Sequence, residues 1–172
     1  MQINVAQQLR SPIGTVREHE VNAVMDVTGD GNSGLVEGNL SLIRTDRGIL
    51  VKGELHTSVS LTCSRCLGVF DCPLTLKIEE EYFPTVDVVS GVPLELPDEP
   101  GLFTIDKNHE IDLTETVHQY ALLAIPMKPL CRRDCAGLCP VCGQNLNLGE
   151  CQCPPPEADP RWAKLKHIGL SQ

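Results

Sequence analysis

Apolar and polar residues alternate along residues 36–61, and this period of two predicts β-strands. The turn residues Asp46-Arg47-Gly48 divide the alternating stretch into two runs. The positions that share one parity are Val36, Gly38, Leu40 and Leu42 in the first run and Val51, Leu55, Val59 and Leu61 in the second. The pattern therefore predicts a long antiparallel hairpin with one buried face.

Weaker patterns predict further strands on both sides of this hairpin. Strands are expected around residues 3–9 and 20–27, with a turn at residues 11–14 between them. After a turn at residues 63–68, Leu74, Leu76 and Ile78 alternate with polar residues and predict another strand. Residues 28–34 read as a loop, as do residues 84–100, which are rich in proline and acidic residues.

One helix is predicted over residues 112–125. Its apolar stripe consists of Leu113, Val117, Tyr120, Ala121 and Ala124. Asp112 is the expected cap, with Glu115 completing a capping box, and Pro126 ends the helix. The predicted fold class is α+β: an antiparallel sheet, arranged as a meander, with one main helix and a small C-terminal cysteine-rich zinc module.

The predicted division of the chain lies after residue 130. Residues 1–130 would form the core of sheet and helix, and residues 131–172 a zinc-knuckle appendage. Within the appendage, Pro154-Pro155-Pro156 is a stiff spacer. Asp159-Pro160-Arg161-Trp162 resembles an N-cap followed by proline at the first helical position, which predicts a short terminal helix.

Composition and charge narrow the classes of function. The 172 residues carry a net charge of −9, and aromatic residues make up only 3%, so the core must be aliphatic. No apolar run approaches the ~20 residues that span a bilayer, and residues 1–4 lack the features of an export signal, so a cytoplasmic protein without membrane contacts is expected.

The negative charge is concentrated in residues 79–115, which contain eleven acidic residues and one lysine. Such a stretch is poorly suited to binding phosphate backbones, because carboxylates repel them. It could be a surface for a basic partner or only a solvated loop.

The nine cysteines carry the clearest chemical signal. Six of them fall within residues 131–153, and Cys139-Pro140-Val141-Cys142-Gly143 has the spacing of a zinc-binding turn. We expect Cys139, Cys142, Cys151 and Cys153 to bind one structural Zn²⁺, with Cys131 and Cys135 as an alternative pair. Zinc would fold a segment that lacks an apolar core. An iron–sulfur cluster and redox thiols remain alternatives.

A second group of cysteines lies earlier in the chain. Cys63 and Cys66 occupy the turn between two predicted strands, and Cys72 follows six residues later. They could bind a second metal together, Cys63 and Cys66 could donate ligands to the C-terminal module, or all three could be small packed side chains.

No pattern of catalytic residues emerges. The five histidines have no spacing suited to catalysis, and there is neither a phosphate-binding glycine loop nor a serine triad. We therefore expect a protein that is not an enzyme and has no small-molecule substrate.

Two segments resemble the bacterial YceD family of large ribosomal RNA subunit accumulation proteins. The first is Thr62-Cys63-Ser64-Arg65-Cys66-Leu67, after the hairpin turn that contains Arg44-Thr45-Asp46-Arg47-Gly48. The second runs from residue 111 to residue 126 and continues through residues 137–147, Cys151-Gln152-Cys153 and Asp159-Pro160-Arg161-Trp162. The resemblance covers roughly residues 36–166.

This resemblance implies a non-enzymatic role in the accumulation of 23S ribosomal RNA and so in assembly of the large subunit. The implied partner is a large-subunit precursor or a basic ribosomal protein, which the acidic stretch could cover. Direct binding of rRNA by the zinc module is an alternative, and a thiol redox protein using Cys63 and Cys66 is another. The candidate contacts with RNA or a partner are Arg132, Arg133, Arg161, Trp162 and Lys164.

Overall fold

The fold is a seven-stranded sheet with a helix packed against it. The computed structural model describes residues 1–29, 31, 33–98, 100–154 and 161. In chain order the elements are β1 (Gln2–Asn4), α1 (Ala6–Leu9), β2 (Val16–Asp26), β3 (Ser33–Arg44), β4 (Ile49–Thr62), β5 (Val69–Pro84), β6 (Phe103–Ile105), β7 (Glu110–Asp112) and α2 (Thr114–Ala124). None of the described helices is long and apolar enough to cross a membrane.

The strand order is β1-β7-β6-β5-β4-β3-β2. Strands β2 to β5 form the antiparallel meander that the alternation predicted, and β4 pairs with β5 from Thr62↔Val69 to Ile49↔Tyr82. Strand β6 is parallel to β5, however, so the sheet is mixed. It also curls into a half-barrel, which corrects the prediction of a simple antiparallel meander.

Close approach between β3 and β4 favours this curl. A Cβ atom on Gly53 would lie 2.2 Å from the carbonyl oxygen of Asn39, and one on Gly38 would lie 2.2 Å from that of Glu54. Only glycine fits at these two positions, and glycine in a strand commonly marks a bend or a close backbone approach. Sequence alternation reports which face is buried but not this curvature.

The N-terminal strand prediction was only partly right. Residues 2–4 pair with β7, but residues 6–9 form α1. The turn begins where the side-chain oxygen of Asn4 accepts a hydrogen bond from the N–H of Ala6 at 3.2 Å. The buried Gln8 amide then donates to the carbonyl oxygens of Leu42 and Thr15, at 2.5 and 3.2 Å, and so fixes α1 against the meander.

Strand β2 begins earlier than expected, at Val16. Residues 16–20, which are exposed except for the half-buried His19, pair with β3 without showing alternation. The short hairpin β6–β7 was missed. Its turn depends on the Asp106 carboxylate, which accepts hydrogen bonds from the N–H groups of Asn108 and Glu110, both at 2.8 Å. Strand β5 extends to Pro84, and the described positions of residues 85–100 contain no helix or strand, as expected.

Helix α2 covers one face of the sheet. Leu113, Val117 and Ala121 are fully buried, and the Tyr82 hydroxyl hydrogen-bonds to that of Thr116. The predicted capping box was wrong. The N-cap residue is Leu113, and the Glu115 carboxylate accepts from the Gln119 amide at 2.8 Å. The predicted terminal helix around residue 159 lies outside the described residues.

We predict that Gly53→Ala lowers the free energy of unfolding by about 2 kcal/mol or more, because its Cβ would clash with backbone atoms that cannot move independently. Chemical denaturation measures this loss. The neighbouring Lys52→Ala variant is the control, since it removes only an exposed ion pair with Glu79 and should cost less than about 0.5 kcal/mol. Equal stability of the two variants would contradict the close approach of β3 and β4 at Gly53.

Candidate metal centres

Eight of the nine cysteines form two groups of four. In each group the four sulfur atoms lie within 4.8 Å of one another. The distal cluster consists of Cys139, Cys142, Cys151 and Cys153. The bridging cluster consists of Cys63, Cys66, Cys131 and Cys135. All nine cysteines are free thiols in the structure.

The distal cluster brings together the four residues that spacing favoured. Cys139 is buried, Cys151 and Cys153 are half-buried, and Cys142 is exposed. The intervening chain turns back through a bridge between Leu138 and Asn145. Each cluster could hold a metal ion.

The bridging cluster combines cysteines from two distant parts of the sequence, a grouping that the spacing alone did not favour. Cys131 and Cys135 lie with Cys63 and Cys66 and not with the distal cysteines. Cys72 belongs to neither cluster, because it lies within β5 opposite Val59, away from the turn. Of the alternatives open for Cys63 and Cys66, a pairing across space with C-terminal cysteines is the one that the fold produces.

The first pair of the bridging cluster lies on a tight turn, which we call the proximal knuckle (residues 63–68). The N–H of Cys63 donates to the carbonyl oxygen of Gly68 at 2.9 Å, and the N–H of Leu67 donates to that of Cys63 at 3.0 Å. The N–H of Arg65 points at the Cys63 sulfur, 3.5 Å away. Leu67 has a φ of 57°, a left-handed conformation that is uncommon outside glycine.

The distal knuckle (residues 139–144) repeats this geometry. The N–H of Cys139 donates to the carbonyl oxygen of Gln144 at 2.8 Å, and the N–H of Gly143 donates to that of Cys139 at 2.9 Å. The N–H of Val141 lies 3.4 Å from the Cys139 sulfur. Gly143 has a φ of 75°. Two unrelated segments therefore adopt one backbone conformation that directs two sulfurs to a common point.

Distances between sulfur atoms fit a single ion in the bridging cluster. The Cys63 and Cys135 sulfurs are 3.8 Å apart, as are those of Cys66 and Cys131. Four sulfurs at the usual Zn–S distance of about 2.3 Å define a tetrahedron whose edges are about 3.8 Å. A disulfide would require a separation of about 2.05 Å.

The thiols within each cluster differ in how easily they ionise. Backbone N–H groups of Cys131 and Cys66 lower the pKa of Cys63 to about 6. Burial and the Cys135 sulfur raise the pKa of Cys131 to about 12. Burial disfavours ionisation of Cys135, but hydrogen bonds from the Asn147 amide and the Gly137 N–H outweigh it and lower the pKa of that thiol. Cys63 and Cys135 therefore ionise more easily than an ordinary thiol, whereas Cys131 resists deprotonation. A divalent cation would remove that resistance, since thiols that coordinate a metal are deprotonated.

The distal cluster shows the same asymmetry. Hydrogen bonds from the N–H groups of Cys142 and Val141 lower the pKa of Cys139 to about 6. The Cys142 sulfur and burial raise the pKa of Cys153 to about 12. Both sites thus have the donor set and electrostatics of a site for a soft cation.

Asn147 supports the chain between the clusters, a role that the sequence patterns did not predict. Its amide nitrogen donates to the Cys135 sulfur at 3.3 Å, and its amide oxygen accepts from the N–H of Ala136 at 2.8 Å. The same oxygen accepts from the Arg132 guanidinium at 2.6 Å. An asparagine with no cysteine beside it gives no spacing signal, so only the fold identifies this role.

The candidate contact residues are only partly described. Arg132 and Arg133 are exposed, and Arg132 is held by Asn147 and lies 3.6 Å from the Asp134 carboxylate. Arg161 is also exposed. Trp162 and Lys164 lie outside the described residues, so their predicted contacts stay predictions.

The acidic stretch is not one loop. It runs from β5 through residues 85–102 to β6, β7 and the start of α2. On β5, Glu79 pairs with Lys52 at 3.1 Å and Glu81 with Arg47 at 2.8 Å. Glu95 and Asp98 are exposed on the irregular segment. Part of the negative charge is therefore internally paired, and part faces solvent.

Comparison with known proteins identifies a family. The profile of "Large ribosomal RNA subunit accumulation protein YceD" matches residues 51–169, a span that includes both knuckles. A Mycobacterium tuberculosis protein is 33% identical over 134 residues, and a Mycobacterium leprae protein is 42% identical over 118 residues. These alignments cover 76% and 68% of this chain.

An Arabidopsis thaliana protein, "Large ribosomal RNA subunit accumulation protein YCED homolog 1, chloroplastic", is 25% identical over 155 residues, or 77% of this chain. The matched regions are 60%, 51% and 48% of the M. tuberculosis, M. leprae and A. thaliana relatives, so the chain spans about half of their lengths. No solved structure matches the chain. On the match to residues 51–169, the chain belongs to the YceD family.

Proposed function

We propose that the protein is a non-enzymatic factor in biogenesis of the large ribosomal subunit and supports accumulation of 23S rRNA. The observation that carries this proposal is the family match over residues 51–169, which includes most of β4, the strands β5 to β7, α2 and both knuckles. A ribosome-associated factor would work in the cytoplasm without a small-molecule substrate.

The partner that best fits the charge is a basic ribosomal protein, free or within a pre-subunit. The net charge of −9 and the exposed carboxylates of Glu95 and Asp98 favour a cationic surface over bare RNA. Residues 131–172 contain five basic and four acidic residues, which gives little net attraction for phosphate. Binding of rRNA through Arg133 and its neighbours is therefore the weaker candidate.

We further propose that the distal cluster binds one structural Zn²⁺. Four thiolates around one centre complete a tetrahedron and leave no open coordination position for catalysis. Iron–sulfur clusters distribute their cysteine ligands over several iron atoms. Four sulfurs that all lie within 4.8 Å of one another fit a single ion better. A redox role for Cys63 and Cys66 is less favoured because Cys63 is fully buried on a hairpin turn, whereas reactive thiols are partly exposed.

For the metal, we predict that Cys142→Ser lowers the zinc content of the purified chain by one ion relative to wild type. Native mass spectrometry measures the bound ions directly. Cys72→Ser is the matched control and should keep the wild-type content, since Cys72 lies outside both clusters. An unchanged zinc content in Cys142→Ser, or iron in place of zinc, would refute the assignment.

For the partner, we predict that the tagged protein captures large-subunit precursors or ribosomal proteins from its own cytosol. Glu95→Lys/Asp98→Lys should weaken this capture roughly tenfold, because the variant reverses charge within the acidic stretch. The control is Glu20→Lys/Glu37→Lys, which makes the same change in net charge at exposed positions of β2 and β3.

Several outcomes would overturn the proposed partner. Capture of no ribosomal component at moderate salt would refute the ribosomal role. Capture that ribonuclease abolishes, and that Arg133→Glu weakens while Glu95→Lys/Asp98→Lys does not, would replace the basic protein with rRNA. Equal effects of the two acidic double variants would show that net charge alone matters.

A further inference from the structure

The bridging cluster joins two parts of the fold that are distant in sequence. Cys63 and Cys66 lie at the tip of the β4–β5 hairpin, and Cys131 and Cys135 follow α2. We propose that these four cysteines bind a second zinc ion, which fixes the segment after α2 to the hairpin tip. This site is additional to the distal zinc and independent of the ribosomal partner.

The first argument is the local geometry. The proximal knuckle has the same three backbone hydrogen-bond contacts as the distal knuckle, and a left-handed residue at the equivalent position. The two knuckles share this geometry although one lies between strands and the other in an irregular segment. Leu67 adopts the conformation that Gly143 adopts at the equivalent position. A bulky non-glycine residue in this region costs free energy, and an ion held by the two converging sulfurs would offset that cost.

The second argument is how the two pairs face each other. The sulfur of each knuckle cysteine lies 3.8 Å from a sulfur of the opposite pair, which is the edge length expected for a tetrahedral zinc thiolate. Cys63, Cys66 and Cys135 are buried, and Phe70, Leu130 and Leu138 pack around them. Buried zinc in such an apolar shell is shielded from competing water ligands.

The third argument is that the backbone at this junction already brings the two segments together. The N–H of Ser64 donates to the carbonyl oxygen of Pro129 at 2.8 Å, and the Arg65 guanidinium donates to that of Cys135 at 2.9 Å. Gly137 has a φ of 77°, and a Cβ there would lie 3.2 Å from the carbonyl oxygen of Arg65. These contacts place the second cysteine pair opposite the first.

The two ions would have different structural effects. The distal ion closes a short segment, from Cys139 to Cys153. The bridging ion closes a loop that contains β5, β6, β7 and α2, and a cross-link restricts the unfolded chain more as the loop lengthens. The bridging ion should therefore govern docking of the whole C-terminal segment, and the distal ion only its local shape.

Native mass spectrometry of the full-length protein, purified with zinc, tests the proposal. We expect two zinc ions in the wild type and in Cys72→Ser, and one in both Cys131→Ser/Cys135→Ser and Cys142→Ser. One zinc in the wild type would overturn the proposal, and this result does not depend on whether any variant folds. An unchanged zinc content in Cys131→Ser/Cys135→Ser would also overturn it.

Hydrogen exchange on the same proteins separates a bridge from a local effect. In Cys131→Ser/Cys135→Ser, amides of the proximal knuckle should exchange at least about tenfold faster, although neither substitution lies in that segment. Amides of the distal knuckle should keep their protection. Faster exchange confined to residues 129–137 would contradict the bridge, whether or not ribosomal components are captured.

Discussion

The mutual repulsion of crowded thiolates is the constraint on which the C-terminal part of the structure depends. In each of two sets, four sulfurs are held within 4.8 Å of one another, and six of these eight cysteines lie in residues 131–153. Without a cation, the thiols of one set ionise unequally: backbone N–H groups lower the pKa of Cys63 to about 6, whereas burial and the Cys135 sulfur raise the pKa of Cys131 to about 12. A divalent cation would attract all four thiolates of a set, and this attraction would outweigh the repulsion between them.

The sheet provides the rigid base for this arrangement. Gly38 and Gly53 let the paired strands β3 and β4 approach closely and curl. Helix α2 covers one face of the sheet with Leu113, Val117 and Ala121. The long β4–β5 hairpin carries the proximal knuckle at its tip, where the chain leaving α2 passes. The family match covers most of β4, the strands β5 to β7, α2 and both cysteine clusters, so these parts of the fold belong to one family unit.

Local patterns predicted what local forces determine. Alternation located β3, β4 and β5, and an apolar stripe located α2, because burial of one face decides these elements. The spacing of the Cys-x2-Cys turn and the Cys-x-Cys pair also predicted the distal set, because all four cysteines lie within fifteen positions of the sequence. The short strands β6 and β7 escaped notice because three residues are too few to show a period.

Long-range pairing could not be predicted in this way. Cys72 is the nearest cysteine to Cys63 and Cys66 in sequence, but it lies within β5, away from the turn. The segment after α2 places Cys131 and Cys135 beside the turn instead. The parallel pairing of β5 with β6 and the curl of the sheet are likewise set by tertiary contacts. A clue was available in hindsight, because Cys63-Ser64-Arg65-Cys66-Leu67-Gly68 matches Cys139-Pro140-Val141-Cys142-Gly143-Gln144 in the spacing of its cysteines.

The most direct test of the account is X-ray absorption at the zinc edge of the purified wild-type protein. Two tetrathiolate sites predict a first shell of sulfur alone, with four sulfurs per zinc at about 2.3 Å. The spectrum averages the first shells of both zinc sites. If water or a histidine completed even one site, the average would therefore contain oxygen or nitrogen and fewer than four sulfurs per zinc. A first shell that contains nitrogen or oxygen, or fewer than four sulfurs per zinc, would contradict the account.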